Sequence, residues 1–316
     1  MSPSPVSVLL DGRSFLEAPR WHDGRLWVSD QYLGEVLAVD PETGNAEVMA
    51  KLDGHPAGLG WLPDGRLLIA SMRDRQLLRQ EPNGELVVHA DLAGFCGGSL
   101  NELVVDAHGR AYAGNFGFDL MAGEATRPTV LVRIDPDGTA SVAAKDVTFP
   151  NGAVIIPSTT GSDTSSKTGS DTSSKTGAVA TLVLAETFES RLTAFDLTAD
   201  GALLRPRLWA DLSNGAGRVA DLPADDRPAA TDGICLDAEG AIWVADAYHN
   251  RVLRVREGGQ VVDEVTTGLE GTYACALGGV DGHTLFICTA RSFLDEERAA
   301  TREARVLTCR VDVPAA

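Results

Sequence analysis

The amino-acid sequence predicts an all-β fold, a six-bladed β-propeller with four antiparallel strands per blade and an N-terminal strand that closes the last blade. Three observations predict it. A pair of apolar phrases recurs six times, with a period of 41 to 44 residues where nothing interrupts it. Each phrase has the length of a short strand and meets Gly-containing turn chemistry. Long helical periodicity is absent.

The first phrase leaves a turn, runs through an apolar strand and ends small or polar. It reads DGRLWVSD (23–30), DGRLLIAS (64–71), HGRAYAGN (108–115), GAVATLVLAET (177–187), EGAIWVAD (239–246) and DGHTLFICT (281–289). The second follows each copy: GEVLAVDPETG (34–44), RQLLRQEPNGE (75–85), TVLVRIDPDGT (129–139), RLTAFDLTADG (191–201), NRVLRVREGGQ (250–260) and ARVLTCRVD (304–312). Five of these six run on into Asp-Pro, Asn-Gly, Asp-Gly or Gly-Gly turns. A short run precedes each pair, from EAPRWHDG (17–24) to YACALGGVDG (273–282), and a fourth follows the first five, as in AEVMAKL (46–52). These are strands A to D.

Repeat six has no D strand of its own, and VSVLL (6–10) stands spare before the first A strand. Pairing the two closes the ring and hides an edge that otherwise invites aggregation. Two stacked β-sandwiches would need a linker. None divides the repeats, so residues 1–316 read as one domain.

Two insertions break the period. TTGSDTSSKTGSDTSSKTG (159–177) holds the octapeptide GSDTSSKT twice, has no apolar residue, and is expected to be a flexible surface loop between strands A and B of blade 4. The second, 213–231, joins blade 4 to blade 5 and carries apolar residues and two prolines, the composition of a segment that can order.

Composition excludes several function classes. Lys and Arg number 27 against 45 Asp and Glu, a net charge of −18. Nucleic acid and anionic membrane both demand clustered cations and are not expected partners. No apolar run approaches the roughly 20 residues of a bilayer span. The opening Met-Ser-Pro-Ser-Pro-Val lacks the basic flank and apolar stretch of a secretory signal. Five cysteines with no CxxC pair are expected to be free, buried thiols, and the expected location is cytoplasmic.

In a propeller the A strands line the central channel and enter it from one face, the top. Residues that open them therefore converge on the axis. The openings are Glu17, Pro56-Ala57, Asn101, Asn151, Asp232 and Thr272-Tyr273. Four of the six offer a carboxylate or carboxamide oxygen. Two carboxylates brought together without a counter-charge repel or take up protons, and a divalent cation is the simplest compensation. Oxygen donors without Cys or His suit a hard ion such as Ca²⁺ or Mg²⁺. Calcium is the first choice, with zinc, magnesium, manganese and iron(II) left open. Taken singly, Asn151-Gly152 and Asp232-Gly233 are also good turn dipeptides, and Glu17 a good solvated acid. Register favours the site, because all four fall at the same place in different repeats.

The residues around these positions bring the chain close to a known family. Glu17-Ala-Pro-Arg-Trp21, Ser99-Leu-Asn101-Glu, Asp106-Ala-His-Gly-Arg110, Phe149-Pro-Asn151-Gly, and Asp232-Gly-Ile-Cys-Leu-Asp237 leading into Trp243-Val-Ala-Asp246 occur in that order. From about residue 7 to 313 the sequence resembles the regucalcin (senescence marker protein)/gluconolactonase family. The resemblance implies one axial divalent metal on Glu17, Asn151 and Asp232, with Asn101 added as in a phosphotriesterase branch. In the sugar-lactonase branch the counterpart of Asn101 instead faces substrate, with an Arg two residues before it and an acid eighteen after. Here those positions are Ser99 and Asp119, and the missing Arg removes a bidentate donor for a sugar.

The implied activity is metal-dependent hydrolysis of a lactone by an activated water. The cation polarises the carbonyl and Asp232 serves as general base. Expected substrate contacts are Ser99, Asn101, Asn115, Phe118 and Asp119, and the expected partner is a small-molecule lactone, with the chain a monomer or small homo-oligomer. Alternatives are a non-enzymatic calcium-binding or protein-binding scaffold, a phosphotriester hydrolase on the same metal, and metal-free chemistry of the strictosidine-synthase type. No G-x-S-x-G nucleophile motif occurs, and Ser99 has no identifiable partner base. Specificity falls to the top-face connections 95–99, 116–121, 213–231 and 290–304. Two Phe, a Leu and a Met in 116–121 lean toward a substrate more apolar than an open sugar lactone. Residues 291–305 suit a short helix over the channel with its charges in solvent.

Overall fold

Turn chemistry at the end of each phrase makes successive strands antiparallel neighbours, and the result is six four-stranded antiparallel sheets. The computed structural model describes residues 5–158, 177–215, 222, 226–268 and 270–316. The six A strands are Leu16–His22, Pro56–Trp61, Leu100–Val105, Pro150–Pro157, Thr231–Leu236 and Gly271–Gly278. The B, C and D strands of blades 1 to 5 follow each in chain order. In blade 6 the outermost strand is the N-terminal Ser7–Arg13, which pairs with Ala304–Arg310 (Ser7 opposite Thr308, Val8 opposite Leu307). The spare strand therefore closes the ring, as its sequence position requires.

Burial falls from the axis outward. The B strands are covered on both faces, and Leu67–Ser71 is buried at every position. This is why the first phrase reads as a continuous apolar run rather than an alternation. The D strands are largely exposed, as in Val261–Thr266. The core lies between blades. Leu68 and Leu77 of blade 2 pack with Leu103 and Val132 of blade 3. Leu26 and Val28 of blade 1 pack with Phe286 and Val306 of blade 6, so side chains seal the ring as well as the ladder. Trp21 stacks on Phe286 across the same junction, with ring centroids 5.7 Å apart. A Cβ on Gly278 would meet the Trp21 ring at 2.4 Å, so this blade contact admits no side chain there.

The hairpin that carries the tandem repeat opens at the end of blade 4 away from the channel mouth. Pro157 pairs with Ala180 there, while Pro150 pairs with Glu186 at the mouth. Residues 159–176 of the repeat lie outside the described residues, as do 216–221 and 223–225 of the second insertion. Its end is ordered, with Ala229 and Ala230 buried. The expected short helix forms at Asp295–Ala300, but its charges are not all in solvent. Arg298 is 2% exposed, and Asp295 turns inward to Tyr32 and Arg73. All five cysteines are free, with the Cys235 and Cys275 sulfurs 3.7 Å apart on neighbouring A strands. Among the described residues no helix is long and apolar enough to cross a membrane.

Candidate metal centre and active site

None of the A strands runs regularly past the channel mouth. Register breaks fall between Glu17 and Arg20, Pro56 and Leu59, Leu100 and Leu103, Pro150 and Ala153, Thr231 and Ile234, and Thr272 and Ala274. A bulge releases side chains from strict alternation and re-aims them. Glu17 stands at the edge of its break, and Asn101, Asn151 and Asp232 lie inside theirs. All four line one cavity of about 130 Å³.

The glycines beside two of them have a packing reason. A Cβ on Gly152 would lie 2.5 Å from the Ile234 amide nitrogen, and one on Gly233 would lie 2.6 Å from the Ala274 Cβ. Adjacent A strands come within backbone contact here, which a side chain forbids. Neither Asn151-Gly152 nor Asp232-Gly233 makes a turn, because both dipeptides sit within strands.

All four of these residues are buried, and two of their oxygens lack partners. Asn151 donates its amide to Thr187 Oγ1 (3.2 Å) and Asn101 donates to the Pro150 carbonyl (3.3 Å). Each amide is thereby oriented with its oxygen as the remaining acceptor. Asn151 Oδ1 and Asp232 Oδ1 are buried without a hydrogen bond. Burial pushes the Glu17 carboxyl up to about 8, and the charge of Glu102 adds to this, against the opposing Ala18 N–H and Arg20. Burial also raises Asp232 well above the usual carboxylate range; Glu17 and Glu102 add to the shift and the Asn151 amide opposes it.

A cation among these oxygens would satisfy the orphaned acceptors and reverse both shifts. Among the described residues no three His, Cys, Asp or Glu side chains gather into a metal-binding cluster, so such an ion relies on the two amides as well as the two acids. The donor set fits a hard, oxygen-bound divalent cation. Deeper in the channel Glu102 is held by Arg20 (2.6 Å), whose guanidinium also donates to the Leu103 carbonyl (2.8 Å).

The walls follow a second register. Asp30, Ser71, Asn115, Glu186 and Asp246 end the B strands of blades 1 to 5, and each is fully buried. They tie down the top connections. Asp246 accepts from the Ala230 and Tyr248 amides and pairs with Arg251, and Glu186 accepts from Thr148 and pairs with Arg191. Asn115 accepts from Gly117 N and Thr129 Oγ1 and donates to the Val130 carbonyl. Both its amide oxygen and its amide nitrogen are thus bonded within the loop it anchors, and it is not among the residues that line the cavity. The residues just after these anchors, among them Tyr32, Arg73, Phe116, Phe188 and Tyr248, face the cavity. Sequence reasoning missed this set. The available signal was the polar residue that closes each first phrase.

Other expected contacts separate. Ser99 and Asn101 line the cavity. Phe118 is buried behind Phe149 and Phe188, with centroids 5.8 and 6.1 Å away. Asp119 accepts from the Ala122 amide (3.0 Å) and borders a shallower recess shared with Ser99. His55 and Asp295, both unanticipated, also line the main cavity, and His55 is held below its usual range by burial and by Arg73.

A family model described as the SMP-30/gluconolactonase/LRE-like region matches residues 15–162 and 174–291. The chain belongs to that family. Among curated relatives of this family member, a 6-deoxy-6-sulfogluconolactonase of Pseudomonas putida is 26% identical over 304 residues, covering 94% of this chain and 91% of that one. A pentonolactonase of Haloferax volcanii is 24% identical over 278 residues, covering 87% and 81%. Among solved structures, a calcium-binding protein, regucalcin, from Agrobacterium tumefaciens superposes with a TM-score of 0.74 at 21% identity, over 99% of this chain and 96% of that one. That last likeness speaks to the fold.

Proposed function

We propose that the protein is a divalent-metal-dependent hydrolase that opens a lactone, with Glu17, Asn101, Asn151 and Asp232 holding the ion and calcium the ion that suits them best. The carrying observation is the set of buried, under-partnered oxygens at the channel mouth, of which Asn151 Oδ1 and Asp232 Oδ1 have no hydrogen bond. Lactonase relatives that cover nearly the whole chain support the reaction class. A bound divalent cation supplies Lewis acidity at the lactone carbonyl.

The chain's own residues do the rest. The cavity admits a small cyclic ester and shields it on its aromatic sides. Asp232, which lines the cavity, holds the attacking water and takes its proton as the water oxygen bonds to the carbonyl carbon. The ring C–O bond then breaks, and the same carboxyl returns the proton to the departing alkoxide, so one lactone and one water become one hydroxy acid. Asn151, fixed by Thr187, steadies that carboxylate through its amide.

The test is Asp232→Asn. Turnover on a lactone panel, followed by acid release, should fall by about 10²–10⁴-fold while the thermal melt stays close to the parent. Full activity in this variant removes Asp232 as the base, and parent activity that survives exhaustive chelation removes the metal.

A further inference from the structure

Resting on the lactonase reading, we infer that the substrate is a lactone carrying an apolar, planar or alkyl body, and not a polyhydroxylated or anionic sugar lactone. The inference comes from what the cavity walls offer once the ion's cradle is set aside.

On the side of blades 3 and 4 the wall is aromatic. Phe116 stacks on Phe149 with centroids 4.5 Å apart, and Phe149 meets Phe188 at 4.7 Å. Leu120 and Met121 extend this wall toward the mouth. Met121 is 42% exposed there and Phe293, on the approach to the lid helix, is 36% exposed, so apolar surface runs from the floor to the rim. Exposed apolar groups that meet a cavity mark what enters it.

The charged part of the polar side is already engaged, which leaves Gln31, His55, Tyr248 and Tyr273 as its neutral donors and acceptors. Tyr32 donates to Asp295, and Arg73 donates to the other oxygen of that carboxylate at 3.0 Å. Arg73 is the one Lys or Arg among the described residues lining the cavity, and Asp295 neutralises it. An anionic substituent on the substrate therefore finds no free cation beyond the proposed ion. Thr187 Oγ1 is occupied by Asn151, and Ser99 is too short to grip two hydroxyls as an Arg does. A sugar lactone with a hydroxyl on each ring carbon would leave several of them dehydrated and unpaired against Phe116, Phe149 and Phe188. A phenyl or alkyl substituent there loses nothing and gains ring contact.

The experiment compares γ-phenyl-γ-butyrolactone and γ-nonalactone with D-glucono-1,5-lactone and a xylonolactone on the calcium-loaded full chain. Calorimetric binding of the non-hydrolysed lactams 5-phenyl-2-pyrrolidinone and gluconolactam is measured in parallel. We expect kcat/KM for the phenyl lactone to exceed that for the gluconolactone by about 100-fold and the phenyl lactam alone to bind. Phe116→Ala should cut the phenyl-to-glucono preference about tenfold. Phe293→Ala, at an exposed rim position outside the core, should cut it several-fold and serves if Phe116→Ala does not fold. A sugar lactone turned over best, or gluconolactam bound as tightly as the phenyl lactam, overturns the inference while leaving the hydrolase reading standing. Phenyl lactam binding with no lactone hydrolysed upholds the inferred pocket chemistry and sinks the hydrolase reading. Neither lactam bound sinks the inference.

Discussion

Calcium and protons should compete for the same oxygens. In the metal-free protein burial and the Glu102 charge hold Glu17 up to about 8, against an ordinary value of 4.5. At pH 7 only about one molecule in ten has that carboxylate ionised. Ion binding must therefore expel close to one proton from Glu17, and the neighbouring Asp232 carboxyl is raised in the same direction by burial and by Glu17 and Glu102. The apparent Kd should then weaken by about tenfold for each pH unit below 8.

The stability of the metal-free form carries the same signature. Because Glu17 holds its proton more tightly folded than unfolded, its contribution is fully present below about pH 4.5 and is lost as the pH rises through 8. Saturating calcium should remove that slope. The assay is calorimetric titration at pH 6, 7, 8 and 9 in buffers of different ionisation enthalpy, which counts protons released per ion. A Kd that does not change between pH 6 and 8, with no proton release, would refute the shared-site geometry.

Two further outcomes test the surroundings. Gly152→Ala sets a Cβ 2.5 Å from the Ile234 backbone and should cost about 1–3 kcal/mol, read as a lower denaturant midpoint, with ion affinity falling alongside because Asn151 and Asp232 flank the contact. Deleting residues 159–176 should leave kcat within about twofold of the parent, since the stems of that hairpin lie at the end of blade 4 away from Asn151; a large loss would overturn the bottom-face placement.

Much of this was legible in the chain because a propeller repeats itself. The Gly-bounded phrases set the strands, their period set the blade count, and the unpaired N-terminal strand implied the closure that Ser7 and Thr308 make. Shared register also picked out Glu17, Asn101, Asn151 and Asp232, which line one cavity although spread over the whole sequence.

The sequence could not say that these residues sit on β-bulges, or that Gly152 and Gly233 serve close strand contact and not turns. Both facts depend on where the neighbouring blade's backbone lies. Nor could it separate Asn115 from Asn151, which are chemically identical. One has every amide atom engaged in anchoring a loop, and the other keeps an oxygen bare. Local pattern determined which residues form strands and which of those begin at the axis. Which side chains remain under-partnered, and which are consumed by Asp295 or Val130, was decided only when distant blades met, because hydrogen-bond satisfaction is a property of the assembled neighbourhood and not of a residue or its period.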